Sequence, residues 1–70
     1  MESKDLTVEE YREYDVPGRS QPYRIDSPQQ LYIGATTHRV VDGSGVVHCV
    51  PTAGTVIRWK SKDPTKPVGF

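Results

Sequence analysis

The chain has 70 residues, enough for one small domain, and such a domain buries only about 60% of its unfolded surface. Hydrophobic residues make up 34% of the chain, the formal net charge is zero, and no run is long enough to span a membrane. Cys49 has no second cysteine to pair with, whereas small secreted domains usually depend on disulfides. The first residues are polar and unlike a signal peptide. We therefore expect a cytoplasmic protein without a deep substrate cavity.

The charges are divided unevenly along the chain. Residues 1–16 carry six acidic and two basic residues, a net charge of −4, whereas residues 17–70 carry a net charge of +4. An acidic segment joined to a basic body indicates binding to a partner. The alternative is that the acidic segment only neutralises the body and keeps it soluble.

The acidic segment contains a helix-start pattern. Thr7 and Glu10 have the spacing of a capping box, and Leu6 and Tyr11 have the spacing of a hydrophobic staple. The Pro-Gly pair that follows limits this helix to about two turns, and so short a helix is unstable alone. We predict that residues 1–16 form an acidic arm, either a short helix or disordered, that docks on the body or on a partner.

The rest of the chain alternates between short β-type segments and turns. Five segments rich in β-branched and aromatic residues are candidate strands: Tyr23–Ile25, Leu31–Ile33, Thr36–Val41, Val46–Val50 and Thr55–Lys60. They predict a mainly-β domain over residues 17–60, either a small antiparallel sheet or a partly closed barrel of four or five strands, SH3-like or OB-like. Ile57 and Trp59 share a face and are expected in the core, and residues 61–70 are expected to form a flexible tail.

The strongest pattern in the chain is a β-hairpin around its Gly-rich stretch. A two-residue loop at Gly43-Ser44, which we favour, would place His38 opposite Cys49 on one face and His48 on the other. A three-residue loop would shift every cross-strand pair by one residue.

Residues with catalytic or metal-binding chemistry are few. His38, His48 and Cys49 make an incomplete zinc set without the usual paired spacing, so we expect no metal and no cofactor, and Cys49 is expected in the core. Adjacent strand residues point to opposite faces, so His48 cannot activate Cys49 as a nucleophile. Asp42–Gly45 leads into a strand, which indicates a hairpin turn and not a phosphate-binding loop. We therefore do not expect an enzyme.

One part of the chain resembles known proteins. Residues Thr36–Pro51, with the sequence TTHRVVDGSGVVHCVP, and Ile57–Lys60 together resemble small bacteriophage proteins of unassigned chemistry. In size, and with its acidic segment, the chain is similar to phage-encoded inhibitors of bacterial RNA polymerase. This resemblance implies a non-enzymatic host-takeover protein that acts in the cytoplasm of the host bacterium.

We therefore predict a small β-rich phage regulator, a monomer that binds a host protein, namely RNA polymerase, and not a membrane. It would exclude DNA or a sigma factor by steric and electrostatic means. The predicted partner-binding residues belong to the acidic segment: Leu6, Glu9, Glu10, Tyr11, Glu13 and Tyr14. The alternative is a nucleic-acid-binding barrel with a basic surface formed by Arg24, Arg39, Arg58 and Lys60. A phage structural component is the third hypothesis.

Overall fold

The computed structural model describes residues 2–65, which form seven β-strands in two antiparallel sheets. The strands are β1 (Glu2–Asp5), β2 (Glu9–Asp15), β3 (Tyr23–Asp26), β4 (Pro28–Ile33), β5 (Thr37–Asp42), β6 (Val47–Pro51) and β7 (Val56–Ser61). The larger sheet has the order β1-β4-β5-β6 and the smaller sheet the order β3-β2-β7. The mainly-β prediction is confirmed. The predicted antiparallel pairing is also confirmed. The count of four or five strands is wrong, because the described residues form seven strands in two sheets, and these do not make a closed barrel.

The predicted N-terminal helical arm is wrong, although its helix-start pattern does form a turn. The Asp5 carboxylate accepts hydrogen bonds from the Thr7 amide at 2.8 Å and the Thr7 hydroxyl at 2.7 Å, and the Glu9 amide donates to the Leu6 carbonyl at 2.9 Å. This turn carries the chain from β1 in one sheet to β2 in the other. A two-turn helix is marginal by itself, whereas β2 is the central strand of its sheet and is paired on both sides.

A β-bulge in β2 explains why its sequence does not look like a strand. Glu9 pairs with Ser61 and Tyr11 with Lys60, so Glu10 is an extra residue without a partner on β7. The bulge shifts the alternation of side chains, and Glu9 and Arg12, although three residues apart, are both fully buried. The inner face of β2 is therefore polar, and the apolar alternation that usually reveals a strand is missing.

The predicted β-hairpin is confirmed as β5 and β6, but its loop has three residues. Val41 pairs with Val47, and the Asp42 amide donates to the Val46 carbonyl at 2.9 Å. The Gly45 amide donates to the Asp42 carbonyl at 3.0 Å, and Gly45 has a φ of 84°. This is the three-residue loop that ends in a left-handed glycine. The two-residue register is therefore wrong, and its alternative is the one observed.

The one-residue shift changes which side chains face the core. His38 pairs with Val50 and Val40 with His48, so both histidines lie on the inner face of the hairpin. Cys49 pairs with Arg39 on the outer face and is exposed, so its predicted core position is wrong. A slip of one residue exchanges the two faces of a strand, and the turn decides which register is adopted.

The hydrophobic core lies between the two sheets. Its fully buried apolar side chains are Leu6, Tyr14, Ile25, Leu31, Val40 and Val50. Ile57 is half-buried and packs against this cluster, and Trp59 is also half-buried. The expectation that both belong to the core is therefore met only in part, because β7 is an edge strand of the smaller sheet.

The predicted C-terminal tail divides at the end of the last strand. Ser61 is the final residue of β7, and the amide of Lys62 donates to the Val8 carbonyl at 2.7 Å. Residues 62–65 form a bend and a turn, and residues 66–70 lie outside the described part of the chain. Within residues 2–65, no helix is long and apolar enough to cross a membrane.

Candidate functional site

A hydrogen-bonded network of four side chains runs through the core from the smaller sheet to the larger. The Arg12 guanidinium donates to both carboxylate oxygens of Glu9, from Nε at 2.9 Å and from Nη2 at 2.7 Å. Its Nη1 donates to the Tyr14 hydroxyl at 3.1 Å, and that hydroxyl lies 2.9 Å from Nδ1 of His38. Every buried side-chain nitrogen and oxygen in the described residues has a partner. Burial of these polar groups is tolerated because their hydrogen bonds are satisfied.

The electrostatics of this network fix its protonation. Burial alone would lower the pKa of Arg12, but its hydrogen bonds to Glu9 and Tyr14 raise that pKa above its ordinary value. Burial raises the pKa of Tyr14, so its hydroxyl keeps its proton. Burial and the nearby charge of Arg12 lower the pKa of His38, so its ring is neutral. A neutral His38 accepts the proton of Tyr14 at Nδ1, while Tyr14 accepts one from Arg12.

A second chain of polar side chains joins the hairpin to the edge of the smaller sheet. Nε2 of His48 lies 2.8 Å from Oδ2 of Asp42, and Nδ1 of His48 lies 2.7 Å from the Tyr23 hydroxyl. The other oxygen of Asp42 accepts hydrogen bonds from the amides of Ser44 and Val46, at 2.8 Å and 3.1 Å. The hairpin turn itself therefore fixes the position of the carboxylate.

The order Asp42, His48, Tyr23 also fixes the tautomer of the imidazole. The hydrogen bond from His48, with those of the two turn amides, lowers the pKa of Asp42, so its carboxylate is ionised and only accepts. A neutral His48 must then carry its proton on Nε2, and its Nδ1 accepts the proton of Tyr23. This is the arrangement in which a carboxylate orients a histidine toward a hydroxyl group.

Two edge-to-face Tyr–His pairs thus bridge the sheets. The ring centroids of Tyr14 and His38 are 5.7 Å apart at 89°, and those of Tyr23 and His48 are 5.6 Å apart at 67°. Sequence reasoning missed the Tyr23–His48 pair because it placed His48 on the wrong face of the hairpin, and it missed the Tyr14–His38 pair because it assigned Tyr14 to the acidic arm. His38 and His48 belong to different networks and Cys49 is on the outer face, so the three do not converge on one point.

The predicted partner-binding residues of the acidic segment lie partly in the core and partly on the surface. Leu6, Glu9 and Tyr14 are fully buried and cannot contact a partner in this conformation. Glu10 is exposed, and Tyr11 and Glu13 are half-buried on the outer face of the smaller sheet. The segment therefore contributes to both sheets and does not present one continuous acidic surface.

The predicted basic surface is also divided between the two sheets. Arg39 is on the outer face of the larger sheet, whereas Arg24, Arg58 and Lys60 are exposed on the smaller sheet. Each of these three lies beside a carboxylate: Arg24 beside Asp26 at 2.8 Å, Arg58 beside Glu13 at 3.5 Å and Lys60 beside Glu10 at 3.5 Å. The smaller sheet therefore presents paired charges rather than a basic patch.

The outer face of the larger sheet has a different composition. Cross-strand pairing aligns Tyr32, Arg39 and Cys49 in one row and Val41 and Val47 in the next. Tyr32 is 39% exposed and Val47 58% exposed. Among the described residues, none forms an ion pair with Arg39. We call these five residues the Tyr32 face. Tyrosine and arginine are enriched at protein-binding surfaces, and exposed apolar patches often mark such surfaces.

Comparison of the chain with protein-family models, with curated proteins and with solved structures found no match.

Proposed function

We propose that the protein is a non-catalytic regulator that binds a host protein through the Tyr32 face, with bacterial RNA polymerase as the partner. Bound there, it blocks access to the covered surface by steric exclusion. The observation that carries this proposal is the row of Tyr32 and Arg39 beside exposed Val47 on a sheet face. An aromatic ring and an arginine side by side are the residue types that dominate binding energy at protein interfaces.

The proposal moves the interface away from the acidic segment. Two carboxylates of that segment are paired with basic groups of β7: exposed Glu10 lies 3.5 Å from Lys60, and half-buried Glu13 lies 3.5 Å from Arg58. Their fields cancel at short range, so long-range attraction to a basic partner is weak. On the Tyr32 face, Arg39 instead favours a partner surface with an acidic residue opposite it.

The area of the Tyr32 face limits how much surface it can bury in a complex. Strands of this length are about 17–20 Å long and neighbouring strands are about 4.8 Å apart. The face therefore covers only part of the ~800 Å² that each partner of a stable complex buries. We expect the interface to extend over the hairpin tip, where Val46 is 51% exposed.

The deciding experiment is a binding titration with RNA polymerase. We expect Tyr32→Ala to weaken binding at least about tenfold, because loss of a central aromatic residue costs on the order of 2 kcal/mol. Val47→Ser should weaken it less, and Val56→Ser is the matched control. Val56 is 57% exposed against 58% for Val47, but it lies on the other sheet.

The possible outcomes test the location of the interface and the identity of the partner separately. If the wild-type protein binds polymerase and Tyr32→Ala binds equally well, the Tyr32 face is not the interface. If Val47→Ser and Val56→Ser weaken binding equally, the effect is not specific to the larger sheet. If the wild-type protein does not bind polymerase at all, that partner is refuted and the face must be tested on others.

The alternative function is nucleic-acid binding, which the adjacent Tyr32 and Arg39 favour. The tyrosine ring can stack on a base, and the arginine guanidinium can stack on a base or contact a phosphate. The paired carboxylates beside Arg24, Arg58 and Lys60 oppose it. The same variants titrated with single-stranded DNA at two salt concentrations test this alternative. It predicts that affinity falls steeply with salt and that Tyr32→Ala and Arg39→Ala both weaken binding.

A further inference from the structure

We propose that Tyr23 is a reactive nucleophile, activated by His48 and Asp42, that accepts an acyl group from an activated ester. This inference does not depend on the proposed protein binding, because its three reacting groups are Tyr23, His48 and Asp42, none of which belongs to the Tyr32 face. Cys49 of that face lines the adjacent groove. It assigns a covalent modification site to one of the four tyrosines of the chain.

The geometry of the three groups supports this assignment. The Tyr23 hydroxyl lies 2.7 Å from Nδ1 of His48, and Nε2 of the same ring lies 2.8 Å from the Asp42 carboxylate. A nucleophile, a base within hydrogen-bond distance of it, and a group that orients the base are the recurrent parts of an activated nucleophile. Because the turn amides of Ser44 and Val46 hold Asp42, the base is oriented before any substrate binds.

The step balances without a cofactor. The Tyr23 oxygen attacks the carbonyl carbon of the ester while its proton moves to Nδ1 of His48. The ionised Asp42 stabilises the resulting imidazolium through Nε2–H. The bond between the carbonyl carbon and the leaving oxygen then breaks, the proton of His48 passes to the leaving group, and an aryl ester remains on Tyr23. No electrons are exchanged with an external oxidant or reductant.

The surroundings of Tyr23 favour an acyl donor. A surface groove of about 300 Å³ is lined by Val16, Arg19, Tyr23, Cys49, Val50 and Pro51. Its apolar residues suit a small acyl chain. The Arg19 guanidinium lies over the face of the Tyr23 ring, 5.3 Å from its centroid, and lines the same groove.

The other tyrosines provide internal controls. Tyr32 is 39% exposed, more open than half-buried Tyr23, and no base bonds to its hydroxyl in the described chain. The Tyr14 hydroxyl also faces a histidine, but it is fully buried and accepts a hydrogen bond from Arg12. If accessibility alone set the rate of acylation, Tyr32 would react before Tyr23. If activation by a base sets the rate, Tyr23 reacts first.

The experiment treats the folded protein with p-nitrophenyl acetate and measures tyrosine esters by peptide mass spectrometry. We expect Tyr23 to be acetylated at least about tenfold faster than Tyr32, since a positioned general base contributes typically 10²–10⁴-fold. His48→Gln should remove this preference, Tyr23→Phe should remove the adduct, and Cys49→Ser should retain it. In urea beyond the unfolding transition, the two tyrosines should react at equal rates.

A Tyr23 rate equal to or below that of Tyr32 in the folded wild-type protein overturns the proposal, and this comparison needs no variant. A preference that survives in folded His48→Gln also overturns it, because His48 would then not be the base. Loss of the Tyr23 adduct in Cys49→Ser would show that the thiol, not the ester itself, had supplied the acetyl group. Circular dichroism of each variant establishes that the comparison is made on folded protein.

Discussion

Arg12 is the residue on which the interior of the protein depends most. Its guanidinium binds both oxygens of Glu9, donates to Tyr14 and lies 5.5 Å from the centroid of the Trp59 ring. Taking two charges out of water is costly, and only excellent geometry with further hydrogen bonds offsets that cost. A buried pair of this kind therefore does less for net stability than for fixing one arrangement of the core.

The first prediction concerns this ion pair. Glu9→Gln should destabilise the protein by about 3–5 kcal/mol, because it leaves the Arg12 charge buried without its counter-ion. The double variant Glu9→Leu/Arg12→Met removes both charges and should be considerably more stable than Glu9→Gln. Urea denaturation of the three proteins provides the measurement. A double variant less stable than Glu9→Gln would contradict this account.

The second prediction concerns His38 and pH. Its folded-state pKa lies below its ordinary value of 6.5, so below pH 6.5 the unfolded chain binds a proton that the folded protein excludes. The stabilising contribution is complete above pH 6.5 and is lost as the pH falls toward the folded-state pKa. The expected slope for this one group is up to about 1.4 kcal/mol per pH unit.

Denaturation curves between pH 7 and pH 5 measure this slope, with His38→Asn as the matched control. Asparagine can still accept the Tyr14 proton but does not titrate, so its curve should be flatter than that of the wild-type protein. Equal slopes for the two proteins would show that other groups cause the pH dependence.

At the scale of single elements, the hairpin loop shows how one backbone angle determines which side chains face the core. Gly45 has a φ of 84°, which side chains other than glycine adopt only at a cost, and this angle sets the three-residue loop. The loop in turn places His38 and His48 on the inner face. Both Tyr–His bridges therefore depend on the conformation of an exposed glycine.

The third prediction compares two glycines of that loop. Gly45→Ala should destabilise the protein by about 1–2 kcal/mol, the cost of a left-handed conformation for an L-residue. Gly43→Ala should have a smaller effect, because Gly43 does not have a positive φ and a Cβ there would meet the Ser27 Cβ at 3.4 Å, an ordinary contact. Thermal melts of the two variants measure the loss of stability in each. Equal losses in Gly45→Ala and Gly43→Ala would mean that the positive φ of Gly45 is not the cause.

At the scale of the whole molecule, folding brings the two oppositely charged parts of the chain together. The acidic residues of β2 lie opposite the basic residues of β3 and β7, with Glu13 aligned between Arg24 and Arg58. Exposed pairs of this kind add little to stability. Their main effect is to cancel the charge asymmetry seen along the sequence, so that neither the acidic nor the basic part forms a surface of its own.

The fourth prediction follows from the position of β1 and β2. Deletion of residues 1–16 should unfold the protein, because it removes an edge strand of one sheet and the central strand of the other, together with buried Leu6 and Tyr14. Glu10→Gln is the control. It removes one charge from the same segment, at an exposed position, and should change stability by less than about 1 kcal/mol.

Circular dichroism and amide dispersion in NMR spectra distinguish the two proteins. A folded deletion variant would contradict the central position of β2 in the smaller sheet. Loss of the fold in Glu10→Gln would show that the surface pair with Lys60 matters far more than such pairs usually do.

Local patterns located the five strands β3 to β7, because β-branched residues, prolines and glycines act over a few neighbouring residues. They did not give the start of β4 at Pro28 or the three-residue loop of the hairpin. The central strand β2 could not be predicted from its pattern, since its inner side chains are Glu9, Arg12 and Tyr14, which look like surface residues. Their burial becomes favourable only when partners distant in sequence are in place. The Tyr14–His38 and Tyr23–His48 contacts join residues 24 and 25 positions apart. Only the tertiary structure, through the hairpin register and the packing of two sheets, could decide that these groups meet.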